Sequence, residues 1–377
     1  MEGEITSTAT TTTSAAEAVA YTDDVLVEIL LFLPAKSIIR FKAVSKHWHS
    51  LISTSSFSHL HTLRHRKPQP SFILRAAPSL FFYFNPTRKK FLQFHLNFAH
   101  PRILQSCHGL LLLECGSSLS VNRDYYVYNP TTRDSRNLLL EKESLLGLRL
   151  AFDPSKSPHY KVICVSSTSY SIHFCEIQVY DSETRTWKRL DKVFTSSDFR
   201  KFNDGVYWNS GIYWIASGDQ ILSFDIENSV LESSPATMIT SRGGRSLNMV
   251  HLMESSGWMH CVLHKDTLSS LLLVYEYEVK DNVNDWYLKY GVSFDLIAAS
   301  FGERTYGKIS VMGIITGERK EELSLVFHIP GKILVYRFHD GSSEELLDLR
   351  LVKFYRERQL QFGYHDAYQF IESLAPV

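Results

Sequence analysis

The sequence lacks any excess of charge: forty lysines and arginines offset forty aspartates and glutamates. No overall field draws it to nucleic acid or to an anionic membrane. It also lacks a C-x-x-C pair. Cys107, Cys115, Cys164, Cys175 and Cys261 are scattered and odd in number, which suits a reducing compartment where thiols stay free. No uncharged apolar run approaches the roughly 20 residues that span a bilayer. Met1-Glu2-Gly3-Glu4 opens onto neither a basic n-region nor an apolar h-region. A Walker loop, H-E-x-x-H, G-x-S-x-G and a dinucleotide fingerprint are missing too. The expectation is a soluble protein of the nucleus or cytoplasm, with no cofactor, no metal and no active site of its own.

What is present is apolar and aromatic: 44% and 13% of 377 residues. That is enough to bury a sizeable core, in a chain long enough for a short module plus one large one. Residues 1–20 are rich in Thr, Ser and Ala and predict a disordered leader. Residues 21–65 read as helical. Lys67-Pro68-Gln69-Pro70 breaks the pattern, making 66–70 a linker. From 71 to 377 the chain alternates short aromatic and β-branched runs with Gly, Pro, Asn, Asp and Ser, which predicts an almost wholly β domain.

That β region repeats. Tyr125-Tyr126-Val127-Tyr128-Asn129-Pro130-Thr131-Thr132-Arg133 and Ile177-Gln178-Val179-Tyr180-Asp181-Ser182-Glu183-Thr184-Arg185 are its clearest units, with looser copies at Phe84, Phe224, Tyr275 and Tyr336. The six aromatics are spaced by 44, 52, 44, 51 and 61 residues. A period of about 50 suits a four-stranded propeller blade and is too long for one hairpin. Six anchors predict six blades. An aromatic before Asn/Asp-x-x-Thr is also a common hairpin turn, so another sandwich or barrel stays open; the spacing favours the ring.

Within 21–65, Thr22 is placed to cap a helix with Asp23 and Asp24 in its first turn. The run Val25 to Leu33 contains a single polar residue, Glu28, so this helix is apolar nearly all round. Pro34 stops it. A second helix carries Ile38, Ile39 and Phe41. Ser45 caps a third, in which Trp48, Leu51 and Ile52 recur at helical spacing. Three such helices cannot bury that much apolar surface among themselves. Either a partner covers the surplus or the β domain does.

Leu33-Pro34-Ala35-Lys36-Ser37-Ile38-Ile39-Arg40-Phe41-Lys42-Ala43-Val44-Ser45-Lys46-His47-Trp48 resembles the core of a plant F-box, with Leu-Pro, an apolar pair and Val-x-Lys-x-Trp in register. Tyr21-Thr22 departs from the usual Leu-Pro before the acidic pair. The remainder is similar to the F-box-associated region of the same proteins. The pieces that carry the likeness include Ser106-Cys107-His108-Gly109-Leu110, Tyr128-Asn129-Pro130-Thr131-Thr132-Arg133, Gly205-Val206-Tyr207-Trp208 and Ala367 to Leu374. The resemblance implies an α+β multidomain protein, a three-helix F-box followed by a kelch-like β-propeller. It implies that the F-box docks on a Skp1-like protein, and through it on a cullin, while the β domain binds a protein target for ubiquitination. Carried onto this chain, Val25, Ile29, Pro34, Ile38, Val44 and Trp48 become the candidates for the Skp1 interface or the core directly behind it. Lys36, Arg40, Lys42 and Lys46 are candidate rim charges, or merely solvated ones. The final strand near Ala367–Leu374 is expected to complete the blade begun by Ser71–Phe84.

Propellers also host enzymes and small-molecule sensors, and a propeller with a helical appendage is the alternative. Cys107-His108 is a thiol–imidazole pair, yet neighbours on a strand point to opposite faces. His59, His61 and His65 have helical spacing without an acidic or thiol third ligand, and read as solvated. His365-Asp366 and Tyr180-Asp181 read as turns. The short basic runs Arg64–Lys67 and Arg88–Lys90 read as solvated loops rather than nucleic-acid sites.

Overall fold

The structure, a computed structural model, describes residues 22–65, 70–116, 123–140, 144–168, 171–195, 202–216, 220–235, 249–264, 271–280, 283–301, 309–317, 322–352, 360, 362 and 366–377. The leader at 1–20, Tyr21 and most of the linker lie outside the described residues.

The N-terminal module has four helices rather than three: α1 (Asp23–Leu31), α2 (Ala35–Phe41), α3 (Lys46–Ile52) and α4 (Ser55–Arg64). Thr22 is the N-cap of α1, although its side chain makes no capping bond. Pro34 begins α2 in an extended conformation, so the chain turns sharply there. Ser45 Oγ accepts from Trp48 N (3.1 Å), and Thr54 Oγ1 accepts from Phe57 N (3.1 Å), satisfying an otherwise orphaned donor at each start. The fourth helix falls within the helical stretch expected at 21–65, but its weak periodicity kept it from being counted with the other three. Phe57, Ser58 and His61 supply its buried face, and only one of them is a large apolar residue.

The β domain forms six four-stranded antiparallel sheets. Blade 1 is β1 (Ser71–Ala77), β2 (Leu80–Asn85) and β3 (Lys90–Phe94), with the C-terminal β24 (Ala367–Phe370) added on its inner side. Blades 2 to 6 follow as β4–β7 (Arg102–Asn137), β8–β11 (Leu145–Thr195), β12–β15 (Val206–Pro235), β16–β19 (Met249–Ser293) and β20–β23 (Ser310–Asp348). Between blades 5 and 6 stands a short helix, α5 (Phe294–Ser300). The six aromatic anchors Phe84, Tyr128, Tyr180, Phe224, Tyr275 and Tyr336 all fall on the third strand of their blade, counted from the centre. The repeat was therefore real, and the sandwich and barrel alternatives fall away.

Ring closure is the expected one. β24 pairs antiparallel with β1, setting Ser71 opposite Phe370 and Leu74 opposite Ala367. The innermost strands β24, β4 (Arg102–Cys107), β8 (Leu145–Ala151), β12 (Val206–Trp208), β16 (Met249–Ser255) and β20 (Ser310–Thr316) lie in contact round the ring. A side-chain-to-backbone hydrogen bond stitches each junction. Tyr368 Oη donates to Ile103 O (2.9 Å), Gln105 Nε2 to Leu150 O (2.9 Å) and Arg149 Nε to Phe202 O (3.2 Å). Trp208 Nε1 donates to Gly257 O (2.8 Å), Ser255 Oγ to Ile314 O (2.9 Å) and Gln369 Nε2 to Ile314 O (2.8 Å). Between the sheets, apolar side chains pack into clusters such as Leu112, Val127, Leu150 and Val162, so each blade's outer faces are covered by its neighbours.

Candidate functional site

The F-box core consists of Leu26, Leu30, Leu31, Ala35, Ile38, Ile52 and Phe57. Because α1 is apolar nearly all round, burying Leu26 and Leu30 leaves a second apolar stripe outside. Val25, Ile29 and Phe32 recur at i, i+4 and i+7, and are 43%, 48% and 64% exposed. Val44, in the turn after α2, is 57% exposed, and Pro34, at the other end of α2, is exposed too. Large apolar side chains left this far in water are the mark of a surface meant to be covered.

The six residues singled out from the sequence thus separate. Val25, Ile29, Pro34 and Val44 face solvent, Ile38 is fully buried in the core, and Trp48 is half-buried, edge-on to Phe41 with ring centroids 5.6 Å apart. Phe32, the C-cap of α1, is the most exposed of the stripe and is not among those six. Its ring lies under the Arg64 guanidinium, 3.6 Å from the centroid, and that contact joins residues too far apart in sequence to be foreseen.

His61 in α4 and His65, the C-cap of α4, are not solvated as expected. His61 is buried and its Nε2 lies 2.8 Å from Leu33 O; His65 Nε2 lies 2.9 Å from Leu31 O. Their rings are 4.4 Å apart. Together they tie α4 to the carbonyls left open where α1 ends. Burial lowers the pKa of His61. Lys36 is no free rim charge either, since it pairs with Glu372 near the C-terminus.

That C-terminal tail, residues 371–377, joins the two domains. Leu374 completes the F-box core, and its carbonyl accepts from Ser58 Oγ (2.7 Å). Ala375 packs instead into the core between blades 2 and 3. Asn129, fully buried, donates through Nδ2 to Ser373 O (3.0 Å) and Ala375 O (2.8 Å), while its Oδ1 accepts from Thr131 N (2.8 Å). What read as a plain hairpin turn is a clamp on the tail. Gly109, at φ +92°, allows the tail to pass, because a Cβ there would meet Ser373 Cβ at 2.4 Å.

A channel of about 840 Å³ runs between the innermost strands. It opens into a cleft of about 970 Å³ between α4 and the blade turns nearest the F-box; His108, Tyr207 and Glu254 line both. Arg149, which lines the channel, is buried and donates also to Leu104 O (2.9 Å), and burial lowers its pKa to about 10. Asp366, expected in a turn, pairs with Arg75 (2.6 Å). Cys107 and His108 do not form a dyad: Cys107 Sγ donates to Phe152 O (3.4 Å), and His108 lies in the β4–β5 turn at φ +44° rather than on a strand. Burial raises the Cys107 thiol above its ordinary range, so it is not an activated nucleophile. Among the described residues no group of three or more His, Cys, Asp or Glu is placed to hold a metal, and no helix is long and apolar enough to cross a membrane.

Comparison with known proteins agrees with this architecture. Residues 22–60 match the F-box domain, and residues 72–255 match the F-box associated beta propeller domain. "F-box protein At5g07610" of Arabidopsis thaliana is 34% identical over 97% of this chain and 94% of its own length. "F-box protein At5g49610" of the same plant is 30% identical over 69% of this chain and 76% of its own. A solved chain from the crystal structure of the nidogen/laminin complex aligns over 81% of this chain and 99% of its own, at a TM-score of 0.43 and 8% identity. On the near end-to-end likeness to the first relative, this protein belongs to the plant F-box proteins that carry a C-terminal F-box-associated β-propeller domain.

Proposed function

We propose that this protein is a substrate-recognition adaptor of a Skp1–cullin–F-box ubiquitin ligase, with no catalysis of its own. The observation that carries this is the outward stripe of Val25, Ile29 and Phe32 on a helix whose other face is already buried. Fully burying a large apolar side chain is worth about 1.5–3 kcal/mol, and these three are about half exposed, so a Skp1-like partner gains roughly 1 kcal/mol from each without disturbing the F-box core. Val44 and Pro34 extend the surface, and Trp48 with Ile38 supports it from behind.

The propeller binds the target protein. Its contribution to ubiquitin transfer is proximity: a target held on the ring meets the charged enzyme at raised effective concentration. The C-terminal tail supports that geometry, because Leu374 and Ala375, adjacent in the chain, bury in different domains. The nucleus or cytosol is the compartment that fits, with all five cysteines free and buried.

Co-purification tests the assignment. From plant cells, the wild-type chain should retain both a Skp1-like protein and a cullin, and a Val25→Lys/Ile29→Lys variant should lose both while keeping its melting temperature. A Skp1-like protein retained without cullin would leave a complex that never reaches the ligase. Neither retained would leave the ring as a propeller enzyme or sensor. A target trap is better built on that double variant than on an F-box deletion, which would strip the cover from Leu374.

A further inference from the structure

The cleft between α4 and the propeller is acidic and aromatic together. Its described lining carries four carboxylates, Asp153, Glu254, Glu278 and Glu372, against one lysine. Two of the four are already neutralised, Glu278 by Lys289 and Glu372 by Lys36. The other two are held only by neutral donors among the described residues: Asp153 Oδ1 accepts from Ser155 N (2.9 Å) and Oγ (2.6 Å), and Glu254 Oε1 accepts from Gly257 N (2.7 Å). Lys156 donates to Ser210 Oγ (2.9 Å) instead of to either. Asp153 follows blade 3's inner strand and Glu254 lies on blade 5's, yet both line this one cleft, and Glu254 lines the channel as well. The two charges therefore share the space at the mouth of the channel.

The rings beside them are fixed. Trp208 is anchored through Nε1 to Gly257 O (2.8 Å) and stands edge-on to Tyr277, with centroids 5.5 Å apart. Tyr277 in turn rests on Trp286 at 5.0 Å. Trp258 and Tyr207 also line the space. Aromatic faces and unneutralised carboxylates attract the same kind of group, a cation with apolar flanks. Small-molecule sites span about 300–1,000 Å³. This cleft is at the top of that range before the channel it opens into is added, which fits a length of chain better than a metabolite.

We propose that this cleft receives an arginine or lysine side chain of the target protein, with Asp153 and Glu254 as its counter-charges and the indoles of Trp208 and Trp258 against its stem. This rests on the adaptor assignment and names the chemistry of its target: an exposed basic segment, read where the propeller meets the F-box.

The test uses the full chain co-purified with its Skp1-like partner. Pooled acetylated hexapeptides with one fixed central residue, arginine, lysine, citrulline or glutamate, are titrated against tryptophan fluorescence, since two of the lining residues are indoles. The arginine or lysine pool should bind at least tenfold tighter than the citrulline and glutamate pools. Glu254→Gln and Asp153→Asn, which keep their turn hydrogen bonds, should each weaken that binding about twofold to fivefold, as expected for loss of one partly screened ion pair. Equal binding of arginine and citrulline pools, or no response to either substitution, would overturn the proposal. So would L-argininamide binding as tightly as the peptides, because the occupant would then be a free amine. Failure here with the Skp1-like protein still bound sinks only the cleft; peptide binding by a chain that retains no Skp1-like protein sinks only the adaptor assignment.

Discussion

Replacing Asn129 with alanine should loosen the joint between the two domains. Its amide makes two donations, to Ser373 O and Ala375 O, and accepts from Thr131 N, all in a fully buried setting. The alanine variant leaves those two carbonyls without their donor. A buried polar group stripped of its partner costs about 1–3 kcal/mol, and some relaxation of the tail offsets part of the pair, so the net loss is about 3 kcal/mol. At roughly 2–4 °C per kcal/mol for a domain of a few hundred residues, the melting temperature should fall by about 6–12 °C. The tail should also become open to carboxypeptidase, because Leu374 is held in the F-box core by the same segment. Asn129→Asp is the informative control. It keeps the Oδ1 acceptor for the turn but aims a second acceptor at two carbonyl oxygens, so it should lose at least as much. An alanine variant within about 0.5 kcal/mol of wild type, with an equally protected tail, would show that Asn129 is only a turn residue.

Two further outcomes follow from burial and ring closure. A chain ending at Asp366 loses β24, leaves β1 as an open inner edge and removes the Tyr368 and Gln369 stitches; it should aggregate on expression, and a soluble product with an unchanged melting temperature would contradict the closure. Burial holds His328 at about 4 against an ordinary 6.5, so as pH falls the unfolded chain takes up this proton first. Its contribution is full above about pH 6.5 and declines towards pH 4 by about 3 kcal/mol in all; urea titrations across that range should show a steeper loss in wild type than in His328→Phe, the two differing by about 3 kcal/mol over the range, and equal slopes would refute it.

The parts of the fold legible in sequence were those where one residue type marks one position. The six aromatic anchors sit on third strands because a large ring there packs between blades, so their spacing counted the blades. Leu33-Pro34 and Ser45 marked helix ends through backbone chemistry that acts within three or four residues. The Cys107-His108 turn and the tying roles of His61 and His65 escaped, since whether a polar side chain is solvated depends on elements distant in sequence. The tail escaped for the same reason. Glu372-Ser373-Leu374 was noted as a familiar run, but nothing local shows that Leu374 belongs to a core made by residues 26–57. For the candidate interface, helical periodicity identified an overly apolar helix without saying which stripe faces out. That choice is made by the packing of Leu26 and Leu30, and it brought in Phe32 while moving Ile38 to the interior.

The central claim is that the outward stripe of α1 is a docking face, and one titration tests it most directly. Purified chain is titrated calorimetrically with a purified plant Skp1-like protein, wild type beside Ile29→Lys, with Leu30→Ala as a core control. Placing a charge at the centre of a desolvated apolar contact costs at least about 2 kcal/mol, or about 30-fold in affinity. Ile29 is 48% exposed and outside the F-box core, so Ile29→Lys should lose that affinity with no loss of thermal stability, whereas Leu30→Ala should lower stability first. Wild-type affinity in Ile29→Lys, or no measurable binding by the wild type, would contradict it.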